Sequence, residues 1–367
     1  MKERIVKKTV RPAVEFIKKI DKKKVVILHH DDSDGCCSGA ILALTVKKIS
    51  GTLPKMFATE QNANLTLKVV KEVMREKPDL VILTDIPSMP IKLLKKMNKK
   101  GKLLIIDHHP YEKYANAVYC NPIIYKNIYL PASYLAYRIY KSLTGANDIC
   151  WIAGAGVIGD FGAKNCIDLL KEIKNNYYDL INETELENKI LFENSMLGAL
   201  AKIIESARIA KGKGGAEFVS KILIKSDFKE ILNGSTKEIR VLLNWYDSTN
   251  KEFKKLVDGY NKNKKQIKEN IVYYPINSKY NIRSSIGAHL MKFLSKEILV
   301  IGQRNGNFID LSLRRGKKIE VDLGHLTKEI IKNIPGADGG GHTEAAAAKI
   351  PRKYFSFFMK NLSNFDI

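Results

Sequence analysis

Three short aliphatic runs in this chain each end in a cluster of acids and histidines. Val25-Val26-Ile27-Leu28 leads into His29-His30-Asp31-Asp32-Ser33-Asp34-Gly35. Leu80-Val81-Ile82-Leu83 leads into Thr84-Asp85, and Leu103-Leu104-Ile105-Ile106 into Asp107-His108-His109. Runs this short and this apolar read as strands of a parallel sheet, buried on both faces. Helical spacing of apolar positions fills the intervals over 39–49, 64–76 and 91–98. Strands alternating with helices imply right-handed βαβ units and an α/β sheet. Such sheets bind ligands beyond the carboxyl ends of their strands, and all three polar clusters fall at that edge.

Farther along, 131–163 reads as helical, with the small-residue segment Ala153-Gly154-Ala155-Gly156 followed by Gly159-Asp160-Phe161-Gly162. The stretch from Cys166 to Gly212 reads as polar helices. From Glu238 to Ile271, apolar residues recur at spacings of three and four, predicting one long amphipathic helix, with Ser235 or Thr236 as its cap. Shorter strand-like runs follow at 298–302 and 308–313, and then a glycine-rich motif. A chain of 367 residues exceeds what one core usually supports, so two domains are expected. The expected division is a catalytic domain at 1–235, a connecting helix at 236–270 and a smaller α/β domain at 271–367. There is no internal repeat and no low-complexity tract.

Composition changes this picture little. The formal net charge is +23. Clustered lysine and arginine attract phosphate-rich partners, yet only 11 of the 62 basic residues are arginine, and such a lysine bias also arises from composition alone. Charge by itself does not choose between these readings. The five cysteines, Cys36, Cys37, Cys120, Cys150 and Cys166, are odd in number and show no CxxC spacing, which suits a reduced protein. No apolar run approaches the roughly 20 residues that span a bilayer, and the basic segment Met1–Pro12 precedes no apolar secretion segment. A soluble, cytoplasmic protein without membrane partners is expected.

The clusters themselves carry the chemistry. His30, Asp32 and Asp34 alternate, so in an extended segment they project to one side. Asp85 and Asp107-His108-His109 arrive from strands about 5–10 Å away. That many carboxylates cannot sit together ionised without cations. Mixed carboxylate and imidazole donors suit divalent metals, and a pair of such metals is the usual device for hydrolysing phosphate esters. Gly339-Gly340-Gly341-His342, followed by Ala345–Ala348, reads as a loop opening an alanine-rich helix whose N–H groups face a phosphate. Arg314 and Arg315 follow the alternating strand Ile309–Leu313; one of them could reach a phosphate bidentately, and the alternative is that both are solvated.

These residues resemble the DHH superfamily of phosphoesterases, in particular its RecJ-like single-strand nucleases and their archaeal branch. The motifs lie in order along nearly the whole chain: His30-x-Asp32-x-Asp34-Gly35, Asp85, Asp107-His108-His109, Gly159-Asp160, and Gly339-Gly340-Gly341-His342 in a DHH-associated domain. The resemblance implies two divalent ions, Mn²⁺ or Mg²⁺. His30, Asp32 and Asp85 hold one, and Asp34, Asp85, His108 and Asp160 the other. It implies His109 beside the scissile phosphate, Asp107 behind the histidine pair, and Gly339, Gly340, Gly341, His342 and Arg314 on the substrate.

The implied activity is metal-dependent exonucleolytic hydrolysis of single-stranded DNA or RNA to nucleoside monophosphates, with a hydroxide activated between the metals. Oligoribonuclease or cyclic-dinucleotide phosphodiesterase activity, and a Cdc45-like role beside a GINS-type replication factor, are the alternatives. A manganese pyrophosphatase fits the motif spacing and the basic charge less well. Two departures stand out. His30 occupies a position that is Asp in bacterial RecJ, so His29 or Asp31 is an alternative ligand. Ala348-Lys349 replaces the glycine that usually ends the last motif, and no OB-type domain is expected beyond it.

Overall fold

The computed structural model describes residues 2–60, 64–99, 101–126 and 128–365. The chain forms two compact units, Met1–Tyr246 and Asp247–Ile367. In the first, strands β1 (Val25–His29), β2 (Lys55–Ala58), β3 (Leu80–Thr84), β4 (Lys102–Ile106) and β5 (Ala117–Cys120) form an all-parallel sheet in the order β2-β1-β3-β4-β5. Strand order reverses between β1 and β3, the position where such sheets open a ligand crevice.

Successive strand residues feed two cores, as the pleat requires. Val25 and Ile27 face one side, where helices Ser33–Ser50, Ala132–Thr144, Cys150–Gly159 and Met196–Lys225 pack. Val26 and Leu28 face helices Leu67–Arg75 and Ile91–Asn98. The expected helix at 91–98 is present with those limits, while the one expected at 39–49 begins earlier, at Ser33. The edge strands β2 and β5 escape the sequence pattern because both are only partly buried.

The stretch expected as polar helices differs most. Its main element, Met196–Lys225, buries Leu197, Leu200, Ile203, Ile204, Val219 and Leu223, and it kinks at Gly212, whose φ is +55°. Packing behind the site is tight. A Cβ on Gly156 would lie 2.5 Å from Ser133 Oγ and 3.0 Å from Cys37 Cβ. All five cysteines are free and buried.

The helix Lys237–Asp258 crosses the division between the units, and Thr236 Oγ1 accepts from Ile239 N–H at 3.2 Å at its start. It stops at Asp258, short of the expected 271. A brief helix Tyr260–Asn263 follows, and Ile267 belongs to strand β6 (Lys265–Lys268). The second unit continues with β7 (Ile271–Ile276), β8 (Ile298–Asn305), β9 (Phe308–Arg315), β10 (Asp338–Gly341) and β11 (Ala345–Pro351). Together these make a six-stranded sheet in the order β10-β11-β9-β8-β7-β6, antiparallel except for the β7–β8 pair.

The alanine run is therefore a strand and not the expected helix. Ala346, Ala348 and Ile350 point into the core and alternate with exposed Ala347 and Lys349. Pairing on both sides overrides alanine's helical preference. The facing glycines are required by the close approach, since a Cβ on Gly341 would lie 2.3 Å from Ala345 O. Among the described residues, no helix is long and apolar enough to cross a membrane.

Candidate metal centre

The carboxyl ends of β1, β3 and β4 deliver the polar clusters. After β1 the chain does not stay extended. Asp32 caps the helix Ser33–Ser50, its Oδ1 accepting from Gly35 N–H at 2.9 Å, so Asp34 sits in the first helical turn. The anticipated alternation is thus replaced by a strand-to-helix turn. That turn is crowded, since a Cβ on Gly35 would lie 2.4 Å from His30 O. Asp34 accepts from the N–H groups of Ala132, at 2.7 Å, and Ser133, at 3.0 Å, at the positive end of the helix Ala132–Thr144.

Asp85 follows β3 in the left-handed region, with φ of +62°, a conformation Asp tolerates better than most residues. Its N–H donates to Ile106 O at 3.0 Å. Asp107 stitches the next loop. Its Oδ1 accepts from the N–H groups of His108 (2.7 Å) and His109 (3.0 Å), and its Oδ2 from Ile86 N–H (3.0 Å). The same Oδ1 lies 2.7 Å from His109 Nδ1.

These side chains converge around Asp85. His30 Nδ1 lies 2.8 Å from Asp32 Oδ2 and 3.5 Å from Asp85 Oδ2. His108 Nδ1 is 4.0 Å from Asp85 Oδ1, and its Nε2 is 3.7 Å from Asp160 Oδ2. Three overlapping sets place their donor atoms within 4.8 Å of one another: His30, Asp32 and Asp85; Asp34, His108 and Asp160; and Asp85, Asp107, His108 and His109.

The alternatives His29 and Asp31 belong to none of these sets. His29 is fully buried, with Nε2 3.3 Å from Ser220 Oγ. Asp31 lies behind His30, its Oδ1 3.3 Å from Nε2. Arg314, Gly339, Gly340, Gly341 and His342 belong to the second unit. Arg314 donates to Ser312 Oγ at 3.1 Å, and His342 opens the exposed turn between β10 and β11.

Two partners of the site carried no sequence signal. Tyr129 donates its phenol hydrogen to Asp160 Oδ2, and its ring centroid is 4.8 Å from that of His108. Arg208 pairs with Glu205, which in turn accepts from Ser33 N–H at 3.3 Å. Both come from loops or helices far along the chain, so spacing does not reveal them.

Crowding of acids dominates the electrostatics. Burial pushes the Asp34 and Asp31 carboxyls up to about 6. Burial, and then the neighbouring carboxylates, push Asp85 and Asp160 well above the carboxylate range. Burial opposes the charge on His30, but the Asp32 carboxylate outweighs it and raises His30 to about 9. His108 is lowered to about 4 by burial and by its neighbour His109.

A divalent cation fits this donor set. Asp85 Oδ2 and His108 Nδ1 are buried without a hydrogen-bond partner, which is costly unless something else satisfies them. Buried imidazole and carboxylate atoms left open at one point are what a cation would complete.

Residues 24–181 match the DHH family N-terminal domain, and residues 269–365 match the DHHA1 domain. The chain belongs to the DHH superfamily. No curated protein matches the sequence of this DHH protein. Its fold is similar to that of a DHH-domain protein described as a member of a family of ribosomal proteins, at 18% identity and a TM-score of 0.72, covering 100% of this chain and 93% of the other. It is similar also to exonuclease RecJ bound to manganese, at 14% identity and a TM-score of 0.71, covering 97% and 95%. Cdc45 from Entamoeba histolytica shares the fold at 10% identity and a TM-score of 0.59, covering 97% and 98%. The chain thus has the architecture of a metal-dependent phosphoesterase superfamily, with the DHH sheet in one unit and the DHHA1 sheet in the other.

Proposed function

We propose that this DHH protein is a metal-dependent phosphodiesterase that trims single-stranded DNA or RNA from an end and releases nucleoside monophosphates. The observation that carries the reading is the overlap of three donor sets, two sharing Asp85 and two sharing His108, with Asp85 itself buried and left without a hydrogen-bond partner at Oδ2. His30, Asp32 and Asp85 are the residues to hold one cation, and Asp34, Asp85, His108 and Asp160 to hold a second. A bound pair of Mn²⁺ or Mg²⁺ ions supplies Lewis-acid stabilisation of charge on the phosphate.

The protein's own groups do the rest. Asp107 Oδ1, 2.7 Å from His109 Nδ1, orients the ring, and in the imidazolium form, which Asp107 stabilises, Nε2–H would donate to a phosphate oxygen. Backbone donors from Ala132 and Ser133 fix the direction of Asp34 and partly offset the burial that raises it. In the DHHA1 unit, Arg314 and the Gly339–His342 segment are the substrate contacts in this reading. The segment lies on the edge strand β10 and does not open a helix of its own; it packs against the start of the helix Leu323–Ile331, whose Leu323 and Gly324 N–H groups donate to Thr343 O and His342 O, each at 3.1 Å. The net charge of +23 supports a polyanionic substrate.

The test is digestion of end-labelled DNA and RNA strands from 2 to 30 nucleotides with Mn²⁺ or Mg²⁺, products resolved over time. Stepwise shortening to monophosphates is expected, and Asp85→Ala abolishes it. Absence of cleavage with either metal, or Asp85→Ala activity within tenfold of wild type, overturns the reading. Cleavage confined to the shortest strands points instead to an oligoribonuclease.

A further inference from the structure

The helix Cys150–Gly159 ends at Asp160 with a double wrap of hydrogen bonds. Phe161 N–H donates to Ile158 O at 3.3 Å and Gly162 N–H to Val157 O at 2.9 Å, with Phe161 at φ +56°. This is the helix C-terminal motif whose left-handed position is most often glycine, because a Cβ there meets the backbone. Here the position carries phenylalanine. Its side chain is also 64% exposed. Backbone strain and exposure both argue that fold stability would be served better by glycine. A bulky residue held in a strained conformation at a functional edge points to a use outside folding.

Its surroundings indicate that use. Phe161 directly follows Asp160, so their Cα atoms are about 3.8 Å apart. The Phe161 ring rests against Phe192, with centroids 5.7 Å apart, and Lys202 Nζ lies 5.4 Å from the Phe192 ring. On the other side of Asp160 stands Tyr129, 40% exposed, with its ring beside His108. The turn is held in place, since Asn165 Nδ2 donates to Tyr129 O at 2.9 Å and a Cβ on Gly162 would lie 2.3 Å from Pro131 Cγ. Exposed large apolar residues are ordinary when scattered singly. Here a supported aromatic face and a cation flank a candidate metal ligand, the combination that single-strand nucleic-acid sites use to stack bases.

We propose that Phe161, seated on Phe192, is the stacking platform for the nucleobase of the nucleotide adjoining the scissile phosphate. The inference rests on the phosphodiesterase reading and adds a base-binding subsite to it. The platform is sequence-tolerant, because every base offers a π-face.

The experiment compares wild type with Phe161→Gly, Phe161→Leu and Phe161→Trp. Substrates are a trinucleotide and the same trinucleotide carrying an abasic residue at one end or the other. Phe161→Gly raises KM on the base-bearing substrate by about 5- to 150-fold, equivalent to about 1–3 kcal/mol, with little change in kcat. Phe161→Leu behaves likewise, and Phe161→Trp restores affinity. On the substrate whose abasic end occupies the subsite, wild type and Phe161→Gly have the same KM. Phe161→Gly melts at or above the wild-type temperature and titrates Mn²⁺ as wild type does.

An unchanged KM for Phe161→Gly, or an equal loss on every abasic substrate, overturns the platform. If wild type hydrolyses none of these substrates, the phosphodiesterase reading fails. Fluorescence anisotropy with the same labelled oligonucleotides still decides the platform, by whether Phe161→Gly weakens binding only where the base is present.

Discussion

The phenol of Tyr129 donates to the carboxylate of Asp160, and no feature of the intervening sequence announces the pair. The bond fixes the direction of an acid that presents itself to His108. Groups that orient a metal ligand typically change metal affinity by 10–100-fold when removed. Tyr129→Phe is therefore expected to weaken binding of one of two Mn²⁺ ions by about tenfold and to leave the other unchanged. Calorimetric titration, with the exchange-coupled Mn²⁺ EPR signal as a second readout, checks this; two unaltered binding steps would refute it.

Asp107 accepts hydrogen bonds from three backbone N–H groups and lies against His109 Nδ1. Asparagine can offer only one oxygen to this array and turns a donor toward other donors. Asp107→Asn is expected to cost about 1–3 kcal/mol for each buried donor left unpaired. It is also expected to lower kcat more than it raises KM, because His109 loses the carboxylate that orients its ring and stabilises its imidazolium form. Denaturant unfolding beside steady-state kinetics tests both halves.

The site's titrations oppose one another in acid, where His29 and His108, both lowered to about 4, offset Asp31 and Asp34, both raised to about 6. Above pH 6.5 His30 acts without that opposition. Its folded value of about 9 exceeds the ordinary 6.5, so the stability it contributes is complete below pH 6.5 and is lost as pH rises through 9. The raised Asp85 and Asp160 act in the same sense. Metal-free protein is thus expected to lose thermal stability between pH 6.5 and 9, at about 2–4 °C per kcal/mol. Saturating Mn²⁺ competes with the same protons, so it should flatten or reverse the trend. Melting curves across that range, with and without metal, decide it.

Gly156 allows the helix Cys150–Gly159 to approach Ser133, whose N–H holds Asp34. Gly156→Ala places a methyl group 2.5 Å from Ser133 Oγ. Overpacking of this kind costs about 1–3 kcal/mol. The displacement falls on Asp34, so Mn²⁺ affinity should drop along with the melting temperature. A variant that melts lower but binds Mn²⁺ as tightly as wild type would separate packing from the site.

The three central strands, and the edge at which their polar clusters meet, are legible in the residues alone. Val25–Leu28, Leu80–Leu83 and Leu103–Ile106 are apolar on both faces, and the handedness of parallel connections leaves their carboxyl ends together. The sequence also singled out His30, Asp32, Asp34, Asp85 and His108 as candidate donors, and the resemblance to the family motif added Asp160. Local periodicity reports which side of an element faces a core, but not which distant segment lies against it.

Tertiary pairing decided the rest. Ala345–Ala348 is a strand because β9 and β10 flank it, though alanine alone favours a helix. The turn after His30 bends because Asp32 caps a helix whose first turn holds Asp34. Tyr129 meets Asp160, and Phe161 meets Phe192, across 31 residues in each case. Contacts of that range depend on how helices pack around the sheet, and packing is a property of the assembled core, not of any one segment.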